Sequence, residues 1–389
     1  MARPPAKQFI AARFGRLRIV RRPRICGVDR MSPPAPPTPI PLPGDPRKVL
    51  IIKPSAVGDV VHALPVLNLV RRRWPRAHVA WLVTPACAGL LDRHPQLNDV
   101  ILFDRKRLGG SWRSPAAFKE LLAFGRSLRE RNFDLVIDLQ GLFRSGWLAH
   151  QTGAPRRVGF ARAREAAWAF YTHQVAVHTP EQHALDRYLT VAEALGCGRG
   201  PVAFPFATDD ADRRAVAPLL PGGGTKPYAV LVPGTNWATK RWPVQRFAQV
   251  AQAMNERFGL ATVLTGAPSD AAVAQAILAD ANLVGRTTLR QLCAIIEGAA
   301  LVVANDSGPM HIAAALGRPL VSVFGPTNPV RTGPYNRPDS VVRLDIPCSP
   351  CYSRACSHTS CLHWLGVEPV LEAAAAQLTP PFRPAARAL

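Results

Sequence analysis

Acidic side chains and long apolar runs are both scarce in this chain of 389 residues. It has 26 Asp and Glu against 48 Lys and Arg, which gives a formal net charge of +22. No apolar run reaches the roughly 18 to 20 residues that a membrane-spanning helix needs. Arginines interrupt every apolar stretch near the N-terminus, so we predict no secretory signal and expect a cytoplasmic location.

Several catalytic motifs are missing as well. The sequence has no G-x-x-x-x-G-K-[ST] phosphate loop, no G-x-S-x-G elbow and no H-E-x-x-H motif. These absences argue against the nucleotide hydrolases, serine hydrolases and metalloproteases that depend on such motifs. No G-x-G-x-x-G follows the first predicted strand of either half, so redox chemistry with a dinucleotide is not expected.

The positive charge is not confined to the N-terminal end. Residues 1–47 carry ten basic and two acidic side chains, a net +8, which leaves +14 for the rest of the chain. A basic surface suits nucleic acid, anionic lipid headgroups or phosphorylated substrates. Charge alone does not choose among them, and a solvated surface in an arginine-rich chain is the simpler alternative.

Eight cysteines in a chain with no predicted export signal argue against a disulfide scaffold. Four of the eight form a C-x2-C-x4-C-x4-C pattern near the C-terminus: Cys348, Cys351, Cys356 and Cys361. Such a pattern could hold zinc or an iron–sulfur cluster as a structural site. It lacks the paired knuckles of a zinc ribbon, so a compact thiol-rich loop is an equal alternative.

Strand and helix patterns alternate along two stretches of the chain, which predicts an α/β fold. We expect two Rossmann-like doubly wound domains, 47–205 and 225–345, that face each other across a cleft. The other segments are a disordered, basic, proline-rich extension (1–46), a linker (206–224), and a cysteine-containing tail with a C-terminal helix (346–389).

Two local predictions within these domains concern less regular sequence. The stretch from Arg156 to His183 is basic and aromatic, and we interpret it as an insertion or irregular element. The stretch from Asp270 to Ala279 is rich in alanine, which favours helix, and we expect it to be helical throughout.

The stretch from Leu301 to Pro334 has the order strand, polar loop, helix, strand and second polar loop. Asp306, Ser307 and Gly308 provide turn and capping residues, and a helix is predicted to begin near Pro309. Its free N–H groups and dipole would favour an anion above the sheet. The alternative is an ordinary strand-helix-strand unit in which Asp306 and Ser307 only cap the helix.

The loop after the first strand contains Asp59, with His62 three residues later. At a strand-to-helix turn this carboxylate would project into the cleft, where it could accept a proton from an incoming hydroxyl. Aspartate is also among the best N-cap residues, so capping alone is the competing explanation. We expect His62 to be a packing neighbour rather than a ligand.

The first loop of the second half runs from Pro233 to Pro243 and contains Thr235 and Lys240. A lysine ammonium is a compact charge suited to a phosphate oxygen, although a lysine on a polar loop is commonly just solvated. Because the carboxyl ends of parallel strands meet at one sheet edge, this loop and the Asp306 loop should lie together. The sequence therefore predicts one anion-binding edge.

Four motifs resemble glycosyltransferase family 9, the heptosyltransferases. They are KVLIIKPSAVGDVVHALP, DLVIDLQGLFRSGWLA, KRWP and NDSGPMHIAAALGRPLVSVFGPTNPVRTGP, which together extend from about Lys48 to Pro334. The resemblance implies a GT-B fold with an acceptor-binding N-terminal domain and a nucleotide-sugar-binding C-terminal domain. It also implies heptose transfer from ADP-heptose to the lipopolysaccharide inner core.

Roles for individual residues follow from the same resemblance. Asp59 would be the base that deprotonates the acceptor hydroxyl, and Lys240 would stabilise the departing diphosphate. The residues expected to line the donor site are Thr235, Lys240, Asp306, Ser307, Gly308 and His311. The family's enzymes invert the anomeric centre, and the resemblance implies neither a metal nor another cofactor.

Acceptor recognition is less closely determined. Arg144, Arg162 and Arg164 lie in the half expected to meet a phosphorylated, lipid-linked sugar, and peripheral contact with the inner membrane would follow. The GF-x4-RE pattern from Gly159 to Glu165 favours a type I enzyme acting on Kdo-lipid A. Type I members carry a donor-binding glutamate where this chain has Pro268.

Two alternatives to the type I interpretation remain from the sequence. One is a relative with another acceptor, such as a type II enzyme, because some family members also carry cysteines in the tail. The other is a basic nucleic-acid-binding or scaffolding protein that kept the fold. A protein of the latter kind would have no function for Asp59 and Lys240. We therefore expect no nucleic acid partner.

Overall fold

The computed structural model describes residues 36–108, 114–177, 179 and 181–379. The elements before the second half are, in chain order, β1 (Lys48–Ile52), α1 (Val57–Arg73), β2 (His78–Val83), α2 (Pro85–Ala88), β3 (Asp99–Leu102), α3 (Arg105–Leu108), α4 (Pro115–Glu130), β4 (Leu135–Asp138), α5 (Phe143–Gln151), β5 (Arg156–Phe160), β6 (His173–Val175), α6 (Ala184–Ala194) and α7 (Asp210–Val216).

The second half repeats the alternation and then returns to its own sheet. Its elements are β7 (Tyr228–Val232), α8 (Val244–Phe258), β8 (Ala261–Leu264), α9 (Ala271–Ala274), β9 (Ala281–Asn282), α10 (Leu289–Gly298), β10 (Leu301–Asn305), α11 (Gly308–Ala315), β11 (Leu320–Phe324), α12 (Pro329–Thr332), β12 (Val341–Arg343), α13 (Ser360–His363) and α14 (Glu368–Leu378).

Each half is built on its own six-stranded parallel sheet, and the two sheets have the same topology. The strand orders are β3-β2-β1-β4-β5-β6 and β12-β11-β10-β7-β8-β9, so each half has the doubly wound order of a Rossmann domain. The order reverses between β1 and β4 in one sheet and between β7 and β10 in the other. Ligands bind outside the carboxyl ends of strands at such reversals, which are where the loops with Asp59, Lys240 and Asp306 begin.

The central strands are apolar because helices cover both faces of each sheet. The side chains of Val49 to Ile52 and of Leu301 to Ala304 are fully buried. The prediction of two Rossmann-like domains is confirmed by these two sheets.

The two domains meet where α1 packs against α11. A Cβ atom on Gly58 would lie 2.3 Å from Cδ2 of His311, and one on Gly308 would lie 2.8 Å from Cβ of Val57. A glycine near the start of each helix therefore lets the two N-termini approach closely. Both positive helix ends point toward the same cleft.

The interpretation of Arg156 to His183 as irregular is wrong, because this stretch supplies β5 and β6. The buried residues Val158 and Phe160 form the apolar side of β5. The Arg157 guanidinium donates to the carbonyls of Phe170 and Ala154 and so takes part in the local structure. The surrounding arginines conceal a strand pattern that is only a few residues long.

The stretch from Asp270 to Ala279 is mostly not helical. A 3-10 turn (Pro268–Asp270) leads into the short α9, after which the chain leaves the helix. Asp280 then accepts hydrogen bonds from the backbone and hydroxyl of Thr262, at 2.8 and 3.0 Å, which aligns the chain for β9. These long-range bonds override the local helix preference of the alanines.

The segments outside the two predicted domains are partly ordered against them. Of the extension predicted to be disordered, 1–35 lies outside the described residues, but Ile40 N–H donates to the Ala194 carbonyl at 2.8 Å. The stretch 206–224, expected to be a linker, contains α7. The tail forms α13 and α14, and 380–389 lies outside the described residues.

None of the helices in the described ranges is long and apolar enough to cross a bilayer.

Candidate active site

A cavity of ≈ 780 Å³ lies between the two domains, at the carboxyl edge of both sheets. The loop after β1 lines it from the first domain. The loops after β7, β8 and β10 line it from the second. All the predicted catalytic and donor-binding residues contribute to its wall: Asp59, Thr235, Lys240, Asp306, Ser307, Gly308 and His311.

Asp59 is the third residue of α1, and the N-cap position is occupied by Ala56. The Asp59 carboxylate accepts a hydrogen bond from the Ala56 N–H at 3.2 Å, so it supports the helix start from within the helix. Its second oxygen accepts from the Tyr188 hydroxyl at 3.0 Å. The side chain remains 41% exposed toward the cleft, so a substrate hydroxyl can reach it.

Two residues that the sequence analysis missed hold this carboxylate. Lys53 is buried at the end of β1, donates to the Leu139 carbonyl at 3.2 Å, and places its ammonium 3.6 Å from Asp59. Tyr188 approaches from α6, with the Lys53 ammonium 4.8 Å from the centre of its ring. A lysine directly after a buried strand, in KVLIIK, was an available signal for the first of them.

The charge state of Asp59 follows from these neighbours. Burial by itself would raise the pKa of Asp59, but the Lys53 charge and the Ala56 and Tyr188 hydrogen bonds outweigh it and lower the pKa. Asp59 is therefore ionised at neutral pH and is ready to accept a proton.

Replacing Lys53 by methionine should shift the acid limb of the kcat/KM profile to higher pH. Removal of the ammonium takes away the attraction that lowers the pKa of Asp59, while its burial remains and raises that pKa. Activity should then be lost at a higher pH as the solution is acidified. Tyr188→Phe removes a hydrogen bond but no charge, so it should shift the acid limb less. An acid limb that does not move in Lys53→Met would show that Lys53 does not lower the pKa of Asp59.

On the donor side, Lys240 and Asp306 form an ion pair of 2.7 Å inside the cleft. The Asp306 carboxylate also accepts from the Thr327 hydroxyl at 2.5 Å, and the Asp306 carbonyl accepts from the Thr235 hydroxyl at 3.2 Å. Asp306 thus holds the loops after β7, β10 and β11 together. Lys240 has three N–H donors, so it can keep Asp306 and still reach a ligand oxygen.

Two buried polar atoms at the start of α11 have no hydrogen-bond partner among the described residues. They are Ser307 Oγ and His311 Nδ1. Ser307 is the N-cap residue, but its side chain makes no cap hydrogen bond. Both residues line the cavity beside the positive end of the helix, and buried polar atoms without a partner are unusual, so a bound molecule is a reasonable partner for them.

Three histidine rings pack at the domain interface beside this position. The His62 ring centre lies 4.4 Å from that of His311 and 4.9 Å from that of His183. His183 contacts the Gly333 carbonyl at 3.0 Å, which links α6 to the second domain. Burial lowers the pKa of His311 to about 4, so its ring is neutral at pH 7.

The part of the cavity beyond β8 and β9 is lined mainly by small or apolar residues and two threonines, and Asp270 is its charged residue. It is lined by Gly266, Ala267, Pro268, Gly285, Thr287, Thr288, Leu289 and Leu292. Pro268 does lie at the cavity wall, as its place in the loop suggested. The nearby Asp270 carboxylate accepts from the Ala267 N–H at 2.9 Å and so serves the loop itself.

The three arginines expected at the acceptor site do not lie together at the cavity. Arg164 is part of its lining, whereas Arg144 and Arg162 are exposed and are not. Arg164 follows β5, which explains how the mis-assigned stretch reaches the cleft.

The four tail cysteines are free thiols. Cys348 and Cys351 are exposed, Cys356 is half-buried and Cys361 is buried. Within the described ranges no three His, Cys, Asp or Glu side chains are grouped as metal ligands would be. Burial raises the pKa of the Cys361 thiol, and its neighbouring cysteines add to the effect.

Known proteins share both the sequence pattern and the architecture. Residues 121–362 match the family model for glycosyltransferase family 9 (heptosyltransferase). The chain is 34% identical over 318 residues to lipopolysaccharide heptosyltransferase 1 of Pseudomonas aeruginosa, which is 80% of this chain and 88% of that protein.

Two solved structures from Escherichia coli resemble this protein over 85% of its chain. ADP-heptose lipopolysaccharide heptosyltransferase II has a TM-score of 0.69 at 26% identity, with 98% of its chain covered. Heptosyltransferase WaaC with ADP has a TM-score of 0.68 at 27% identity, with 99% covered. These similarities confirm the GT-B arrangement.

Proposed function

Because the chain belongs to glycosyltransferase family 9, we propose that it transfers heptose from ADP-heptose to the lipopolysaccharide inner core, with inversion at the anomeric carbon. The observation that carries this proposal is the placement of Asp59 in the same cleft as Lys240 and the start of α11. The first domain then supplies the base, and the second supplies the binding site for the diphosphate.

The reaction follows from this arrangement. The acceptor hydroxyl gives its proton to the Asp59 carboxylate as its oxygen attacks the anomeric carbon of the donor. The bond from that carbon to the diphosphate oxygen breaks on the opposite face, and ADP leaves with the bonding electrons. Lys240, the N–H groups of α11 and the Ser307 hydroxyl stabilise the charge on the leaving diphosphate. One displacement of this kind inverts the centre.

This mechanism needs no metal ion, because a cation and a helix start already occupy the diphosphate end of the cleft. Transfer should therefore proceed at an undiminished rate in the presence of EDTA. Loss of activity on chelation, with recovery on adding zinc or iron, would contradict the metal-free mechanism.

The acceptor is proposed to be a phosphorylated, lipid-linked sugar, Kdo-lipid A if the enzyme is of type I. Arg164 at the cavity wall suits a bidentate contact with an acidic group of that acceptor. The basic surface would hold the protein at the cytoplasmic face of the inner membrane, where such an acceptor is presented. A type II acceptor is the principal alternative.

Release of ADP tests the proposal directly. The protein is incubated with ADP-heptose or another nucleotide sugar, and with delipidated Kdo-type or heptosylated acceptors. We expect release only with ADP-heptose and an inner-core acceptor, and the acceptor that is used assigns the type. Salt-sensitive binding to random-sequence DNA, with no nucleotide-sugar binding, would instead support a nucleic-acid-binding protein.

A further inference from the structure

The segment that carries the tail cysteines reaches the cavity through two other side chains. Tyr352 and Arg354, which lie between Cys351 and Cys356, both belong to the cavity lining. The proposed mechanism gives the side chains of this segment no part. Its position beside the diphosphate end of the cleft calls for a physical role.

The segment is hydrogen-bonded to two of the loops of the donor site, those after β11 and β7. Cys351 and Tyr352 donate their N–H groups to the Pro326 carbonyl at 3.0 and 2.8 Å. The Ser349 hydroxyl donates to the Gly325 carbonyl at 2.6 Å. These bonds fix the segment to the loop after β11, whose Thr327 binds Asp306.

A further bond ties the segment to the lysine loop. The buried Thr239 hydroxyl donates to the Ser353 carbonyl at 2.8 Å. Since Thr239 precedes Lys240 and Ser353 precedes Arg354, this bond brings the backbone segments that carry the two cations together. Their charged groups each lie 4.5 Å from the centre of the Trp237 ring.

The two cations differ in how far their charge is compensated. Lys240 is paired at 2.7 Å with Asp306, whose side chain is only 6% exposed. The Arg354 guanidinium forms no ion pair or hydrogen bond within the described parts of the chain, and its one assigned contact is the Trp237 ring. The uncompensated positive charge at this end of the cleft therefore belongs to Arg354 rather than to Lys240.

We propose that Arg354 binds the diphosphate of the nucleotide-sugar donor, as a second cation next to Lys240. A diphosphate carries more than one negative charge, which the Lys240–Asp306 pair alone leaves unbalanced. The planar guanidinium stays stacked on Trp237 while its N–H groups point two donors at phosphate oxygens. The tail segment thus completes the donor site, an inference that rests on the proposed function.

Binding of ADP and of adenosine to Arg354→Gln, measured by calorimetry at fixed ionic strength, tests this inference. We expect ADP affinity to fall at least about tenfold while adenosine affinity stays as in the wild type, because only the phosphate contact is lost. Arg354→Lys should recover part of the affinity. Arg331→Gln is the matched control: Arg331 stacks on Tyr352 but is not in the cavity lining, so ADP affinity should change little.

Unchanged ADP affinity in Arg354→Gln would overturn the inference and leave the proposed function standing. If ADP affinity is unchanged and the KM for the acceptor rises, Arg354 serves an acceptor phosphate and the inference is equally wrong. Failure of the wild type to bind ADP at all would instead overturn the proposed function, and the inference with it. Equal losses in Arg354→Gln and Arg331→Gln would show a general charge effect and contradict a direct contact.

Discussion

Replacing Asp59 by asparagine should slow heptosyl transfer by about 10²- to 10⁴-fold while ADP-heptose binds as tightly as to the wild type. The amide keeps the size of the side chain and one acceptor oxygen, but it cannot take a proton from the acceptor hydroxyl. Asp59 belongs to the first domain, whereas the residues assigned to the diphosphate, Lys240 and Ser307, belong to the second, so their donor contacts remain. Rates under saturating substrates, together with donor affinity by calorimetry, separate the two effects.

Two further variants test whether the loss of rate comes from a structural change rather than from loss of the base. Asp59→Ala loses the hydrogen bonds to Ala56 and Tyr188 as well as the base, so its fall in rate should be at least as large. Asp210→Asn removes an exposed carboxylate from the first turn of α7 and should leave the rate unchanged. A wild-type rate in Asp59→Asn or Asp59→Ala would remove Asp59 as the base.

Replacing Lys240 by methionine should weaken donor binding and also lower kcat by about 10²- to 10³-fold. The change removes a cation from the leaving group, and it also leaves the buried Asp306 carboxylate without its partner at 2.7 Å. That carboxylate would then repel the diphosphate. Donor affinity and single-turnover rates should therefore both fall, in contrast to Asp59→Asn.

The double variant Lys240→Met with Asp306→Asn distinguishes the two causes of this loss. Removing the unpaired carboxylate should restore part of the donor affinity but little of kcat, since the cation is still absent. A double-mutant cycle gives the coupling between the two residues. Losses that simply add would contradict the ion pair as the organiser of the donor loops, and an unchanged kcat in Lys240→Met would exclude its role at the leaving group.

The parts of the site that sequence could predict are those fixed by the strand-to-helix loops. In a parallel sheet the loops at the carboxyl ends of the strands converge, so Lys240 and Asp306 could be placed together from pattern alone. Asp59 follows a strand of the other sheet and could be placed opposite them because two such domains were expected to face each other across a cleft. The start of α10 also left a local signal, because Thr288 and Gln291 form a capping box that the sequence analysis overlooked.

The contacts that tune the site could not be predicted, because they join residues far apart in the chain. Tyr188 is 129 positions from Asp59, and Ser353 is 114 positions from Thr239. Neither pairing leaves a local pattern in composition or periodicity. Lys53 did have a local signal in its place directly after a buried strand, but a lysine at a strand end is commonly solvated, and only its contacts with Leu139 and Tyr188 show that it is buried.

The strands β5 and β6 were missed because a strand of three to five residues has too few positions for a clear alternation. Their arginines are typical of a loop in sequence, yet Arg157 donates to the carbonyls of Phe170 and Ala154. For the alanine-rich stretch after Asp270 the error was the opposite, because a regular element was predicted where little of one forms. Local preference favours a helix there, but the bonds between Asp280 and Thr262 direct the chain into β9 instead.

The mass of the acceptor after incubation with ADP-heptose tests the central claim most directly. Wild-type protein should add a single heptosyl unit to an inner-core acceptor and release one ADP for each unit added, whereas Asp59→Asn should leave the acceptor mass unchanged over the same period. Release of ADP without a gain in acceptor mass, or equal gains in both proteins, would contradict a transferase in which Asp59 is the base.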